Sequence, residues 1–330
     1  MLPYTLDNHF SYGYGETPFD TNARSPQRPL WCSYSRAQRE PLSFNQEVAL
    51  TAGLLADSAA SLHRKPVVLL SGGMDSEVVV QGCIAAGIDF ETITFRFKHG
   101  LNGHELKHVE EAVQKYGVKH SYFDIDIHAW LKTIEFEDLF YGSQATSINL
   151  LPHMLLMNYV WESNGMPILG NGDVYLENEN DSWNYVELEY ILAWFRHAVR
   201  FGILGGIGFF QHTPELTLSM LREPRIQRLG QQNDEYANRL YDTSKFVKYG
   251  IYRKHWPEFT MRPKLGGHEM VKELYAKREK ELMHCVEPWL QKFVVPYDDF
   301  RAGMELIGTA YRSDATVVPL RMQDQARAEN

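Results

Sequence analysis

Residues 66–76 read PVVLLSGGMDS: an apolar run, Val67 to Leu70, passes directly into two glycines, an acid and two hydroxyl residues. The pattern predicts a buried strand, an anion-binding loop and the start of a helix. Gly72 and Gly73 permit a sharp turn in which backbone N–H groups approach an anion. The helix beginning near Asp75 aims its positive N-terminus at the same point. Ser71 and Ser76 add hydroxyl donors, and Asp75 can hold a divalent cation against phosphate oxygens. The loop has no lysine, so the Walker pattern G-x-x-x-x-G-K-[ST] is not met. Such a cradle suits pyrophosphate held with magnesium better than cleavage of a γ-phosphate.

Outward from this loop, strand and helix signals alternate. Ser43 and Gln46 form a capping box ahead of a helical stripe of Val48, Thr51, Leu54, Leu55, Ala59 and Leu62. After the loop a helix runs to Ala86 and stops at Gly87, with Val79, Cys83 and Ala86 read as its inward residues. A strand over 91–97, a helix over 103–116 closed by Gly117, and a strand over 120–125 follow. A loop over 135–146 leads to a helix over 147–162 with Pro152 in its first turn. Residues 167–169 read as a short buried strand that delivers a second glycine loop, Gly170-Asn171-Gly172-Asp173. This spacing predicts an α/β fold with a parallel sheet covered by helices on both faces. Both glycine loops then lie at carboxyl ends of parallel strands, where open α/β sheets bind ligands. Residues 1–42 show no clear period and read as an irregular arm. The expected organisation is an ATP-binding core over 43–180, a mostly helical lobe over 181–311 completing the site, and a flexible tail over 312–330.

Composition narrows the partners. A chain of 330 residues with 44% hydrophobic and 13% aromatic content can bury a large core. No apolar run is long enough for a membrane span and the first residues lack a leader pattern, so a cytoplasmic protein is expected. The three cysteines, Cys32, Cys83 and Cys285, form no C-x-x-C pair, which indicates neither a disulfide framework nor a zinc site. A net charge of −9 argues against nonspecific coating of nucleic acid. Yet residues 171–195 carry six acids and no Lys or Arg, while 245–264 carry six bases (Lys245, Lys248, Arg253, Lys254, Arg262, Lys264) against Glu258. His104 and His108, four apart on one helix, have no third ligand at a recognisable spacing. Gly202, Gly205, Gly206 and Gly208 fit no dinucleotide fingerprint and read as a turn.

SGGMDS resembles the signature loop of the PP-loop ATP pyrophosphatases, a group of the adenine nucleotide alpha-hydrolase (HUP) fold. Within that group the chain looks most similar to the synthase domain of asparagine synthetase and β-lactam synthetase. Residues 92–126, including His120, resemble that domain's second βαβ step. GNGDVYL (170–176) is similar to its G-x-G-x-D-E-L-F loop, with the acid one residue early and no Glu following. GFFQHTPEL (208–216) is faintly similar to its P-F-L-D segment, and FTMRPKLGGHE (259–269) to its R-x-K-x-G-F motif. Residue 2 is Leu rather than Cys, so the family's cysteine-dependent glutaminase is expected to be absent and nitrogen to come from ammonia or an amine.

The resemblance implies ATP and Mg2+ as cofactors. It implies adenylation of a carboxylate-type oxygen with release of pyrophosphate, followed by attack of ammonia or an amine to give an amide and AMP. In that scheme Ser71, Gly72, Gly73, Asp75 and Ser76 bind phosphate, with Phe95, Gly170 and Gly172 as further nucleotide contacts. Asp75 and Asp173 share the metal, Lys264 steadies the step after adenylation, and Arg262 clamps pyrophosphate or a substrate carboxylate. The substrate is a small molecule with an adenylatable oxygen, no membrane is involved, and a homo-oligomer is compatible. A nucleobase- or tRNA-modifying PP-loop enzyme is the second reading, kept open by the basic run and opposed by the net charge; the missing cysteine pairs oppose sulfur transfer and zinc-containing deazaguanine nitrile synthesis. A nucleotide-binding module without turnover is the third.

Overall fold

The structure, a computed structural model, describes residues 10–14, 30–35, 37–145, 147–172, 176–179, 182–188, 192–223, 240–261, 276–278, 280–282, 291–296, 306–309 and 311–312. Two strands, β1 (Phe10–Tyr14) and β2 (Leu30–Tyr34), precede the core. Then come α1 (Phe44–Ser61), β3 (Lys65–Leu69), α2 (Met74–Ala85), β4 (Glu91–Phe97), α3 (Gly103–Tyr116) and β5 (His120–Ile125). The chain continues through α4 (Ile127–Trp130), α5 (Ile134–Ser143), α6 (Leu151–Glu162) and β6 (Gly165–Leu169).

Four of these strands form a parallel sheet in the order β5-β4-β3-β6. The sheet grows from β3 through β4 to β5 by two crossovers in one direction, which right-handedness puts on one face with α2 and α3. The return over β3 to β6 puts α6 on the other, where it packs on β3, β4 and β6. Burial on both faces explains why β6, GMPIL, is buried at every position and carries no alternation. Helix α2 is buried almost all round because α1 lies against it. A Cβ on Gly82 would come within 2.7 Å of the Val48 side chain, so glycine sets that interhelical distance. The expected α2 core positions Val79 and Cys83 are buried, but Ala86 is exposed at the helix end. In the α1 stripe Leu54 is exposed, and the buried face runs instead through Phe44, Val48, Thr51, Ala52, Leu55 and Ala59.

The loop expected over 135–146 is largely helix. Thr133 caps α5 by accepting from the Phe136 amide at 3.2 Å, and Phe136, Leu139, Phe140 and Ser143 give it a buried face. That spacing of three, four and seven was present in the sequence beneath its acidic residues.

Past the sheet the chain runs through β7 (Leu176–Glu179), β8 (Ser182–Leu188), α7 (Leu192–Phe201), α8 (Pro214–Leu221) and α9 (Leu240–His255). It then forms β9 (Gln291–Pro296), β10 (Leu306–Thr309) and β11 (Tyr311–Arg312). The later part is therefore helical around the site but also strand-bearing. β11, β9, β8 and β7 form an antiparallel sheet, and β10 joins β2 and β1 in another. The N-terminal arm read as irregular contains this pair: Phe10, Tyr12, Tyr14, Leu30, Cys32 and Tyr34 alternate inward. Five-residue alternations broken by Ser and Gly carry little local signal, and their partner strand lies far along the chain. Arg196 of α7 is buried because three acceptors satisfy it: the Ser143 carbonyl at 3.0 Å, the Gln144 carbonyl at 3.3 Å and the Tyr14 hydroxyl at 2.5 Å. No helix among the described residues is long and apolar enough to cross a membrane.

Candidate active site

The SGGMDS loop leaves the carboxyl end of β3, in the middle of the parallel sheet, and the 170–172 loop leaves β6 beside it. Strand order reverses between these two strands, the crevice where open α/β sheets take ligands. Gly72 has φ +78°, and a Cβ there would lie 2.6 Å from the Glu105 carbonyl oxygen, so only glycine fits on both counts. Gly73 is the N-cap of α2 and has no side chain to cap it. The first amides of α2 lack partners within the helix and face the loop mouth, the arrangement that receives an anion. The Ser71 and Ser76 hydroxyls lie 3.1 Å apart; Ser76 Oγ accepts from the Ser71 amide at 3.1 Å and donates to the Gly73 carbonyl at 3.0 Å. Both hydroxyls thus brace the loop in its turn.

The second loop packs directly onto the first. A Cβ on Gly170 would sit 2.7 Å from the Ser76 nitrogen and 2.8 Å from the Asp75 carbonyl carbon. Gly170 therefore serves as the point of close approach between the loops. Asn171 Oδ1 accepts from the Gly172 amide at 2.6 Å, and the Asn171 carbonyl accepts from the Phe210 amide at 3.0 Å. Gly172 has φ +79°, with Gln211 against it. The glycines read as a turn run beside β6: the Leu169 amide donates to the Gly206 carbonyl at 2.8 Å and the Gly206 amide to the Pro167 carbonyl at 3.0 Å. They cover what would be an open sheet edge.

Helix α9 closes over the loop mouth. Lys248 Nζ lies 3.0 Å from Asp75 Oδ2 and the Tyr252 hydroxyl donates to Asp75 Oδ1 at 2.5 Å, so both carboxylate oxygens face α9. Lys248 and Tyr252 are four apart and share one helix face. They were missed as site residues; their signal was the K-x-x-x-Y spacing inside the basic run. Asp75 fits a magnesium site as one carboxylate at the α2 N-terminus, since magnesium in phosphate sites takes one or two carboxylates and completes its shell with phosphate and water. Among the described residues no cluster of three or more His, Cys, Asp or Glu could hold a metal by itself. Asp173, the other expected ligand, and the expected catalytic residues Arg262 and Lys264 lie outside the described residues.

Phe95, expected near the nucleotide, is buried on β4 with its ring 5.1 Å from both Phe97 and His153. It is enclosed by core rings at that position. His108 pairs with Glu111 at 3.1 Å, and its helix neighbour His104 joins no metal cluster among the described residues.

Several contacts fix α9 independently of Asp75. Lys254 and His255 each reach the buried Glu223 carboxylate at 2.8 Å. Burial pushes that carboxyl upward, but these donors outweigh it and hold it below the usual carboxylate range. Tyr252 stacks on Phe44 at 5.9 Å and Trp256 meets the same ring edge-on at 6.1 Å. Just beyond the helix, Gln81 Nε2 donates to Glu258 at 2.9 Å and to the Tyr116 hydroxyl at 2.7 Å, and that hydroxyl donates to the buried Glu77 at 2.6 Å. Burial, reinforced by Glu77, drives the Tyr116 phenol well above its ordinary range.

A family model described as queuosine biosynthesis protein QueC matches residues 65–148. The 7-cyano-7-deazaguanine synthase of Rickettsia akari is 28% identical over 191 residues, covering 53% of this chain and 82% of that protein. The synthase of the same name from Rickettsia bellii is 27% identical over 197 residues, 55% of this chain and 85% of that protein. Among solved structures, an NH3-dependent NAD synthetase from Campylobacter jejuni aligns over 68% of this chain and 99% of its own at 14% identity and a TM-score of 0.32. An NMN synthetase from Francisella tularensis gives 68%, 100%, 14% and 0.32. These relatives do not include the asparagine synthetase type that the motifs resembled. The residues matched by the family model run from β3 into the α5–α6 connection and contain the whole SGGMDS loop, and over that segment the chain is similar to the QueC family, in keeping with the PP-loop resemblance of its first loop.

Proposed function

We propose that this protein is an ATP-dependent enzyme that activates an oxygen of a nucleobase-like small molecule by adenylation and lets ammonia displace AMP. The observation that carries the reading is the convergence at one switch point of a glycine cradle, the free end of α2 and the Asp75 carboxylate facing Lys248. The relatives' name, 7-cyano-7-deazaguanine synthase, supports a deazapurine-type substrate over an amino acid, and so favours base modification over the asparagine-type amide ligation that the motifs first suggested.

The residues would divide the work as follows. The α2 amides and Gly72–Gly73 hold the phosphates, with Ser71 and Ser76 keeping the turn fixed so that no reorganisation is needed as charge leaves. Asp75 and Asp173 would hold magnesium, which when bound neutralises charge on the departing pyrophosphate. Arg262 and Lys264 would act on the substrate side. We retain 43–180 as the ATP-binding core, 181–311 as the part that completes the site, and small molecules as the partners. Zinc has no four-cysteine site here: the chain has three cysteines, of which Cys32 lies buried in β2 and Cys83 in α2. Burial pushes the Cys83 thiol up to about 12.

The test is incubation with ATP, Mg2+, ammonium and the 7-deazaguanine acid that corresponds to the cyano compound. AMP and pyrophosphate in step with consumption of the acid support the reading. ADP as the sole nucleotide product overturns it, and AMP formed only with an amino acid substrate would return the assignment to amide ligation.

A further inference from the structure

We infer that Lys248 is a pyrophosphate-binding residue delivered to the PP-loop by helix α9, supplying from a distant helix of the same chain the positive charge that a Walker loop carries within itself. The inference rests on the reading of this crevice as a nucleotide site.

Four observations carry it. SGGMDS contains no basic residue, so the cradle itself offers only amide dipoles and hydroxyls to a group bearing several negative charges. Lys248 Nζ sits 3.0 Å from Asp75 Oδ2, at the N-terminal turn of α2 where those amides converge. Its side chain is only 14% exposed, although the protein as a whole is acidic and gains nothing in solubility from a buried ammonium. Finally, the helix that bears it is held from elsewhere, by Glu223 through Lys254 and His255, by Phe44 through Tyr252 and Trp256, and by Gln81 through Glu258.

That last point decides what happens to the lysine when Asp75 binds a metal. A lysine on a loosely held helix would leave with it. Because α9 is anchored at several points, Lys248 stays at the loop mouth after losing Asp75, on a flexible four-carbon stem with three donors. A pyrophosphate held by the α2 amides would lie within reach of that stem. Tyr252, one turn on, loses the other Asp75 oxygen but remains packed on Phe44. Asp75 thus aims the lysine at the turn where the α2 amides would receive the phosphates. Arg253 and Lys254 of the same basic run take no part: Arg253 bonds the Tyr249 hydroxyl at 3.4 Å and Lys254 is committed to Glu223.

The experiment is calorimetric titration of wild type, Lys248→Met and Lys248→Arg with α,β-methylene-ATP, which cannot be cleaved at the bond in question, in the presence and absence of Mg2+. Lys248→Met is expected to weaken binding with Mg2+ by about tenfold or more, the scale of one lost charged contact, and Lys248→Arg to restore most of it. Circular dichroism melts establish that the variants are folded; should Lys248→Met fail to fold, Lys248→Gln replaces it. Unchanged or tighter binding by the folded Met or Gln variant would overturn the inference, because it would mean that the lysine only competes with the metal for Asp75. If the wild type itself bound no analogue, the nucleotide site would fall, and this inference with it.

Discussion

The contact between the two glycine loops offers the sharpest test of the site's construction. In Gly170→Ala the new Cβ would lie 2.7 Å from the Ser76 nitrogen and 2.8 Å from both the Asp75 carbonyl carbon and Ser76 Cα. Comfortable carbon contacts begin near 3.5 Å, so the loops must part by somewhat under about 1 Å. All three obstructing atoms are backbone, so no side chain can swing away. Overpacking of this kind costs about 1–3 kcal/mol, which corresponds to a melting temperature lower by roughly 2–12 °C at the usual 2–4 °C per kcal/mol. The separation falls on Asp75 and Ser76, so nucleotide affinity should drop with it, by roughly tenfold for each 1.4 kcal/mol misplaced at the cradle. Gly53→Ala, in the interior of α1 with nothing within 4 Å of the added Cβ, serves as the control. It should leave binding untouched and raise stability by up to about 1 kcal/mol. Thermal melts with and without Mg2+ and an ATP analogue read both effects. A Gly170→Ala protein that melts within about a degree of wild type and binds the analogue equally well would refute the reasoning that this glycine sets the distance between the loops.

Other outcomes follow from individual residues. Asp75→Asn should lower turnover on the order of a hundredfold or more and weaken its magnesium dependence; turnover with an unaltered magnesium profile would remove Asp75 from the metal site. Lys264→Ala should depress product formation while sparing ATP–pyrophosphate exchange, and equal loss of both would assign that lysine to the nucleotide instead. Burial holds the His197 imidazole down to about 4, with Arg200 adding to the effect. The folded form therefore binds fewer protons than the unfolded chain, whose His titrates near 6.5. His197's contribution is intact above about pH 6.5 and is lost as pH falls towards 4, by up to about 3 kcal/mol. Urea unfolding of wild type and His197→Gln at pH 7 and 4.5 should show a shallower pH dependence in the variant; parallel curves would place the acid sensitivity elsewhere.

The parallel sheet and its first loop were legible in the sequence because both are written locally. The apolar run of β3, the two glycines, the boundaries of β4, α3 and β5, and the capping box of α1 depend on residues a few positions apart. Even the direction of the crossovers follows from chain chirality. Asp75 could be picked out for the same reason, as an acid in the first helical turn directly after a glycine loop. What surrounds that loop could not be read this way. Lys248 and Tyr252 lie more than 170 positions from Asp75, and a lysine in a basic run looks the same in sequence whether it meets water or a half-buried carboxylate. Gly170 was expected as a nucleotide contact, and only the packing of β6 beside β3 revealed that it also spaces the two loops. Phe95 was in the expected strand, yet the rings of Phe97 and His153 enclose it, a matter of which neighbours the fold brings to its face. The strands β1 and β2 escaped notice because their alternation is short and gains meaning only when β10 pairs with it. Sequence fixes what a segment can do alone; which distant carboxylate, ring or strand it then meets is set by the path of the chain between them, and that path is a property of the folded whole.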